Sequence, residues 1–387
     1  MIGIVTPYNI RNYGSKLQAF AVQSILSEYS DDVEMINYSP LPSQGIIAKT
    51  RKLVSPLSWY SFYLRWKDRK NEDNSSNKID EGLLELRKKS IDSFDIKYKL
   101  SEKIEGIDNL RTFAKRYDVI IVGSDQVWNP INVPAKYTTL EFAPLNVKRA
   151  ALAASFGVSE INPVFLKPYY RKFLRKYRYI SVREDQGVGI CKQLLPDINV
   201  VQIPDPTVIV DPSIWNDLSI NYPSEYGKEK YCFCYFLGDN REHRKLAREF
   251  AKKNNMKIVS PVHFKKMNDA DVNFADIEIY DVSPEKFIAM IRYADVVMTD
   301  SFHGSVFSII FEKSFYTFER YASGDKASAN SRIYNLLSSL GLDDRLVRNN
   351  IVIDCNLAID YTAVKSRLDE IRNEAKISLD NMINSLR

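Results

Sequence analysis

The chain has 387 residues, more than one hydrophobic core normally organises, so two domains are expected. A hydrophobic share of 45% and a charged share of 27% suit a soluble globular protein, and a net charge of +5 is too modest and too evenly spread to argue for nucleic acid. Cys191, Cys232, Cys234 and Cys355 make no metal pattern, no stretch approaches the roughly 18 apolar residues of a membrane span, and "MIGIVTPYN" reads as a strand rather than a signal peptide, so a cytoplasmic protein with no metal or cofactor is expected.

From the amino terminus, a strand at Ile2 to Thr6 runs through a polar loop into a helix, "SKLQAFAVQSILSEYS", with Leu17, Ala21 and Ile25 at helical spacing; "VEMINY" is the next strand. Asn9, Asn12, Gly14 and Ser15 occupy the first strand-to-helix junction. Such residues either hydrogen-bond a sugar or phosphate or form an ordinary turn and cap. Residues 39–100 then interrupt the strand rhythm. Here "RKLVSPLSWYSFYLRWKDRK" interleaves Arg51, Lys52, Arg65, Lys67, Arg69 and Lys70 with Trp59, Tyr60, Tyr63 and Trp66. The pattern fits peripheral contact with an anionic membrane, or a helical excursion packed on the first domain with a solvated basic face.

The sheet resumes at Val119 to Val122, ending in Gly123, Ser124 and Asp125. Trp128 follows, a core plug or a sugar platform, and then Asn129. "VKRAALAASFG" is a further strand, an amphipathic helix covers 163–176, and "YRYISVRE" sets Arg183 and Glu184 at a strand end. An arginine there forks onto a phosphate or carboxylate, or pairs with Glu184 or Asp185. "VQIPDPTVIVDPSIW" reads as one more strand with a proline-marked exit, closing a first domain of residues 1–210.

Residues 211–229, rich in turn formers, read as a linker to a second domain of 230–345, with 346–387 packing back on the core. The second domain repeats the alternation: strand "KYCFCYFLG" with Cys232 and Cys234 in its core, helix "NREHRKLAREFAKKNN", strand "MKIVSPV", helix "SPEKFIAMIRYA". Next come a buried strand from Asp295 to Thr299, a polar turn of Asp300, Ser301 and Phe302, and a helix opening at His303 or Gly304, where glycine lets the backbone approach something closely. There are only three histidines. His243 reads as solvated, His263 is ambiguous, and His303 is either a helix-start histidine bonded to a carbonyl or an acid/base beside an anion held by helix amides. The fold expected is α/β, two doubly wound Rossmann-like domains facing each other across a ligand cleft.

"RNYGSKLQAFAV", "DVIIVGSDQVWNP", "AASFG", "ISVRE", "PDPTVIV", "TDSFHGSVFSIIF" and "KASANSRIYNLLSSLGL" occur in that order and cover nearly the whole chain outside 39–100. As an ordered set they resemble the polysaccharide pyruvyl transferase family. The resemblance implies a GT-B-like fold and transfer of a pyruvyl group from phosphoenolpyruvate, as co-substrate, to a sugar as a cyclic ketal in capsular or exopolysaccharide biosynthesis. It places Arg183, His303 and Lys326 on the donor. Many relatives carry an arginine two residues before the histidine, where this chain has Ser301. Arg332 and Lys313 are candidates for the missing cation. His303 is the expected acid/base, with Asp300 or Asp125 orienting it or the acceptor. Ser301, Gly304 and Ser305 are expected at the donor, and Asn9, Asn12, Ser124, Asp125, Trp128 and Asn129 at the sugar acceptor. The insertion, with the family's usual pathways, suggests a polyprenyl-diphosphate-linked acceptor. The competing readings are a nucleotide-sugar glycosyltransferase and a catalytically silent sugar-binding partner.

Overall fold

The computed structural model describes residues 1–40, 59, 60, 62, 63, 66, 80–133, 136–220, 229–262, 269–320, 330–348 and 358–387. His263, Lys326, Cys355 and the cations Arg51, Lys52, Arg65, Lys67, Arg69 and Lys70 lie outside the described residues.

Two six-stranded sheets organise the chain, and every strand pair within them is parallel. The first contains β1 (Ile2–Val5), β2 (Val33–Met35), β3 (Val119–Val122), β4 (Lys148–Ala154), β5 (Tyr179–Val182) and β6 (Val200–Gln202), in the order β2-β1-β3-β4-β5-β6. The second contains β7 (Tyr231–Tyr235), β8 (Lys257–Pro261), β9 (Ile277–Ile279), β10 (Val296–Thr299), β11 (Ser314–Phe318) and β12 (Leu346–Val347), in the order β9-β8-β7-β10-β11-β12. β3, β7 and β10 are buried at every position, which is why they read as unbroken apolar runs rather than as alternations.

The helices that position the site are α1 (Tyr13–Ser27), α2 (Pro206–Ile209), α3 (Ser213–Ile220), α4 (Pro284–Tyr293), α5 (Phe302–Ile310), α6 (Asn330–Leu340) and α7 (Tyr361–Leu386). One hydrophobic cluster runs through both halves, from Ile4 and Leu17 through Tyr13, Trp215 and Phe287 to Val297 and Phe307. Tyr13 stacks on Phe287 with ring centroids 4.6 Å apart, and Trp215 meets Phe307 edge-on at 5.1 Å. α7 ties the halves from behind: Ser378 O accepts from the Tyr179 hydroxyl at 2.9 Å, and its Arg367 donates to Leu340 O at 2.5 Å.

The strand read in "VQIPDPTVIV" is β6, and its proline-marked exit is the short helix α2, where Asp205 caps Thr207 N and Pro206 occupies the first turn. Three readings change. The stretch read as linker contains α3, whose Trp215 is fully buried. His243 is not solvated; it is 6% exposed between Phe236 and Phe318, and burial holds its pKa below the ordinary histidine value. Trp128 is a core plug, fully buried against Phe156, Phe173 and Tyr177, and offers no platform to a sugar.

Trp128→Ala is therefore expected to cost about 3–5 kcal/mol of stability. A urea titration reads this as a lowered midpoint with little change in slope.

Candidate functional site

β1 and β3 are neighbours in the first sheet, as are β7 and β10 in the second, and at each pair the direction of chain winding reverses. Such switch points open crevices at the carboxyl ends of the strands. In the first half Ser15 Oγ donates across the crevice to Asp125 Oδ2 at 2.9 Å. In the second, Asp300 accepts from the amides of Leu237 and Gly238 at 2.6 and 2.8 Å. α1 and α5 begin at these two places, and their starts meet. A Cβ on Gly14 would lie 2.1 Å from His303 Nδ1, so a residue without a side chain is what lets the imidazole lie against that backbone. Two helix amino termini, each with partial positive charge, thus meet at His303.

Around the imidazole lies a dense set of charges. Arg183, at the end of β5, is buried; its Nε donates to Glu184 Oε1 at 2.9 Å and its Nη1 to Asp205 Oδ2 at 2.7 Å. The same Asp205 oxygen stands 3.8 Å from His303 Nε2, while Oδ1 accepts from Thr207 N and Oγ1. Ser155 Oγ donates to Glu184, which fixes that carboxylate. Two buried nitrogens, Arg183 Nη2 and His303 Nε2, have no hydrogen-bond acceptor among the described residues. Phe302 lies between two guanidinium groups, with Arg183 5.7 Å and Arg332 5.6 Å from its ring centroid.

The electrostatics assign protonation states. Burial lowers the His303 pKa below the ordinary 6.5; Asp205 and Asp125 oppose this, and Arg183 and Arg332 reinforce it, so the ring is neutral at neutral pH. Burial works against the Asp205 charge, but His303 when protonated at low pH, Arg183 and the Thr207 bonds outweigh it and hold that carboxyl below the usual range. Burial likewise opposes the Arg183 charge, and Glu184, Asp205 and Asp125 together raise its pKa above that of an ordinary arginine. Arg332 is pushed down to about 10 by burial and by Arg183, and stays cationic.

Of the residues singled out from sequence, Arg183, His303, Asp125 and Arg332 come together here. Asp300 does not orient His303; its oxygens hold the loop after β7, and the carboxylate beside the imidazole is Asp205. Gly304 serves close packing rather than ligand approach, because a Cβ there would meet Thr299 Oγ1 at 2.5 Å. Ser301 caps α5 through Gly304 N, and Ser305, fully buried, bonds Ser301 O and Thr317. Lys313 sits before β11, at the amino end of the sheet, where its Nζ donates to Arg292 O at 2.8 Å, so it is no candidate for the missing cation.

On the acceptor side, Asn12 caps α1 through Ser15 N. Ser124 is buried and donates to Ala153 O. Asn129 bonds Gln126 and Ile131, and Asn9 is exposed. Asp205 and Gly14 were missed as site residues. Asp205 carries a sequence signal only for a helix cap, Asp before Pro, and nothing in one chain relates Gly14 to a histidine 289 positions away.

Two facing Rossmann-like halves with their chemistry at the seam define the GT-B-like class of glycosyltransferases and epimerases. Among solved structures, a UDP-GlcNAc 2-epimerase from Neisseria meningitidis bound to UDP-GlcNAc superposes with a TM-score of 0.50 at 10% identity, covering 99% of each chain. The Escherichia coli heptosyltransferase WaaC with ADP-2-deoxy-2-fluoro heptose gives a TM-score of 0.40 at 12% identity, covering 95% of this chain and 98% of that one. No curated protein matches in sequence. Residues 12–320 match the polysaccharide pyruvyl transferase family, and the chain belongs to it.

In an NMR titration of the three histidines, with His303→Gln assigning the signal, His303 is expected to titrate below 6.5. Asp205→Asn, which keeps the cap but removes a charge favouring imidazolium, moves that titration further down. Gly14→Ala forces the imidazole aside and is expected to lower kcat/KM by about 10² or more while the melting temperature changes little.

Proposed function

We propose that this protein transfers the enolpyruvyl carbons of phosphoenolpyruvate to two hydroxyls of a sugar, forming a cyclic ketal on a cell-surface polysaccharide or its precursor. Family membership supports pyruvyl transfer. The single observation that carries the donor assignment is the buried Arg183–Asp205–His303 cluster, with Arg183 Nη2 and His303 Nε2 unpaired among the described residues and beside two helix starts.

Phosphoenolpyruvate brings a carboxylate and a phosphate, and Arg183, Arg332 and the first amides of α5 are donors suited to them. The donor methylene carbon takes a proton and becomes a methyl group, leaving the neighbouring carbon electrophilic. A first sugar hydroxyl adds there and gives up its proton. The carbon–oxygen bond to phosphate breaks, and a second hydroxyl closes the ring as it loses its own proton. Of the two hydroxyl protons, one balances that on the methyl group and the other leaves with phosphate. Neutral His303 is the group suited to accept a hydroxyl proton and return it, a role typically worth about 10²–10⁴ in rate. Contact with Gly14 positions the ring, and Asp205, 3.8 Å from Nε2, stabilises the imidazolium formed.

Calorimetry separates donors. Phosphoenolpyruvate is expected to bind and a uridine diphosphate sugar not to bind, with Arg183→Ala weakening the former; binding of the nucleotide sugar alone would move the protein to glycosyl transfer. Because a bound anion favours imidazolium, donor binding just above the titration of the free ring should take up protons onto His303, seen as a heat that varies with buffer ionisation enthalpy and shifts toward proton release in His303→Gln.

A further inference from the structure

We propose that residues 59–66, with Val164 and Phe165, seat this protein on an anionic membrane surface. Residues 59, 60, 62, 63 and 66 are helical. Positions 59, 62, 63 and 66 have the i, i+3, i+4, i+7 spacing that places side chains on one helix face. The residues there are Trp59, Phe62, Tyr63 and Trp66, exposed by 57%, 66%, 52% and 48%. Tyr60, off that face, is partly buried against the core of the first half, and its ring meets Phe165 edge-on at 6.2 Å. Phe165 and Val164 are themselves 51% and 67% exposed, so the aromatic face continues onto the body of the protein. A helical excursion packed on the first domain would bury its aromatics and solvate its cations. Tyr60 packs as such an excursion would, but Trp59, Phe62, Tyr63 and Trp66 are exposed, and apolar exposure on this scale marks an interaction surface.

Charge identifies the partner. Residues 51–70 contain Arg51, Lys52, Arg65, Lys67, Arg69 and Lys70 against one acid, Asp68, a net +5 equal to that of the whole chain. The charge is therefore concentrated here rather than evenly spread, and the other residues balance. Tryptophan and tyrosine beside lysine and arginine match the headgroup region of an anionic bilayer, where rings sit at the interface and cations meet lipid phosphate. A symmetric contact with a second copy would set this positive segment against itself. Such seating would serve a lipid-carried acceptor, but it does not depend on the pyruvyl-transfer reading, and vesicle partitioning decides it whether or not phosphoenolpyruvate binds.

The full chain is sedimented with vesicles of phosphatidylcholine alone and of an equimolar mixture with phosphatidylglycerol. Binding is expected to the mixed vesicles, weakening with salt. Changing Arg65, Lys67, Arg69 and Lys70 to Gln should cost roughly a hundredfold or more in partitioning. Phe62→Ser with Tyr63→Ser should weaken binding at unchanged lipid charge, with the melting temperature of the parent. Partitioning into neither vesicle, or partitioning indifferent to both sets of substitutions, overturns the proposal. So does a concentration-dependent dimer in velocity sedimentation that the Phe62→Ser and Tyr63→Ser pair abolishes, because the face would then be a self-interface.

Discussion

A guanidinium buried at the seam between two sheets sets the terms for the rest of this structure. Arg183 has a 3% exposed side chain, and an isolated charge at that depth would be prohibitively costly. Glu184 and Asp205 compensate it, and each is held in turn, Glu184 by Ser155 and Asp205 by the start of α2. The Asp205 oxygen that meets Arg183 also faces His303, which arrives from the other half. The site is therefore complete only when the halves are docked, and the docking is secured by the shared core around Tyr13, Trp215, Phe287 and Phe307. Packing and chemistry depend on one geometry.

The charge balance of this seam shapes what it can bind. Among the described residues, Arg183 and Arg332 face Asp125, Glu184 and Asp205, so with a neutral His303 these cations do not outnumber the carboxylates. An anionic ligand gains from the two helix starts and from a proton drawn onto the imidazole. The proposed pyruvyl transfer would use this arrangement, with a ring that is neutral in the empty site and gains a proton beside a bound anion. The same architecture in a UDP-GlcNAc 2-epimerase is a reminder that the fold supplies facing switch points and leaves the chemistry to the side chains there.

The amino-acid sequence by itself determined most of the elements and their order, though not α3, β9 or β12, because period and burial are local properties. The apolar runs of β3, β7 and β10, the Ser283 cap with Pro284 at the first turn of α4, and the polar stops after each strand carry that information. His303 and Arg183 were legible as strand-end residues, and the ordered motifs carried the family. Tertiary structure decided the partners. Asp205 reads as a cap in the chain and becomes the carboxylate of the site only when β6 lies beside β5 and α5 crosses the seam. Gly14 reads as a loop glycine until His303 rests on it, and Asp300 reads as a histidine's neighbour until its oxygens turn to Leu237 and Gly238. Trp128, Ser124 and His243 were undecided or misread for the same reason: whether a polar or aromatic side chain meets solvent, ligand or core is set by contacts between segments distant in the chain, which local periodicity does not encode.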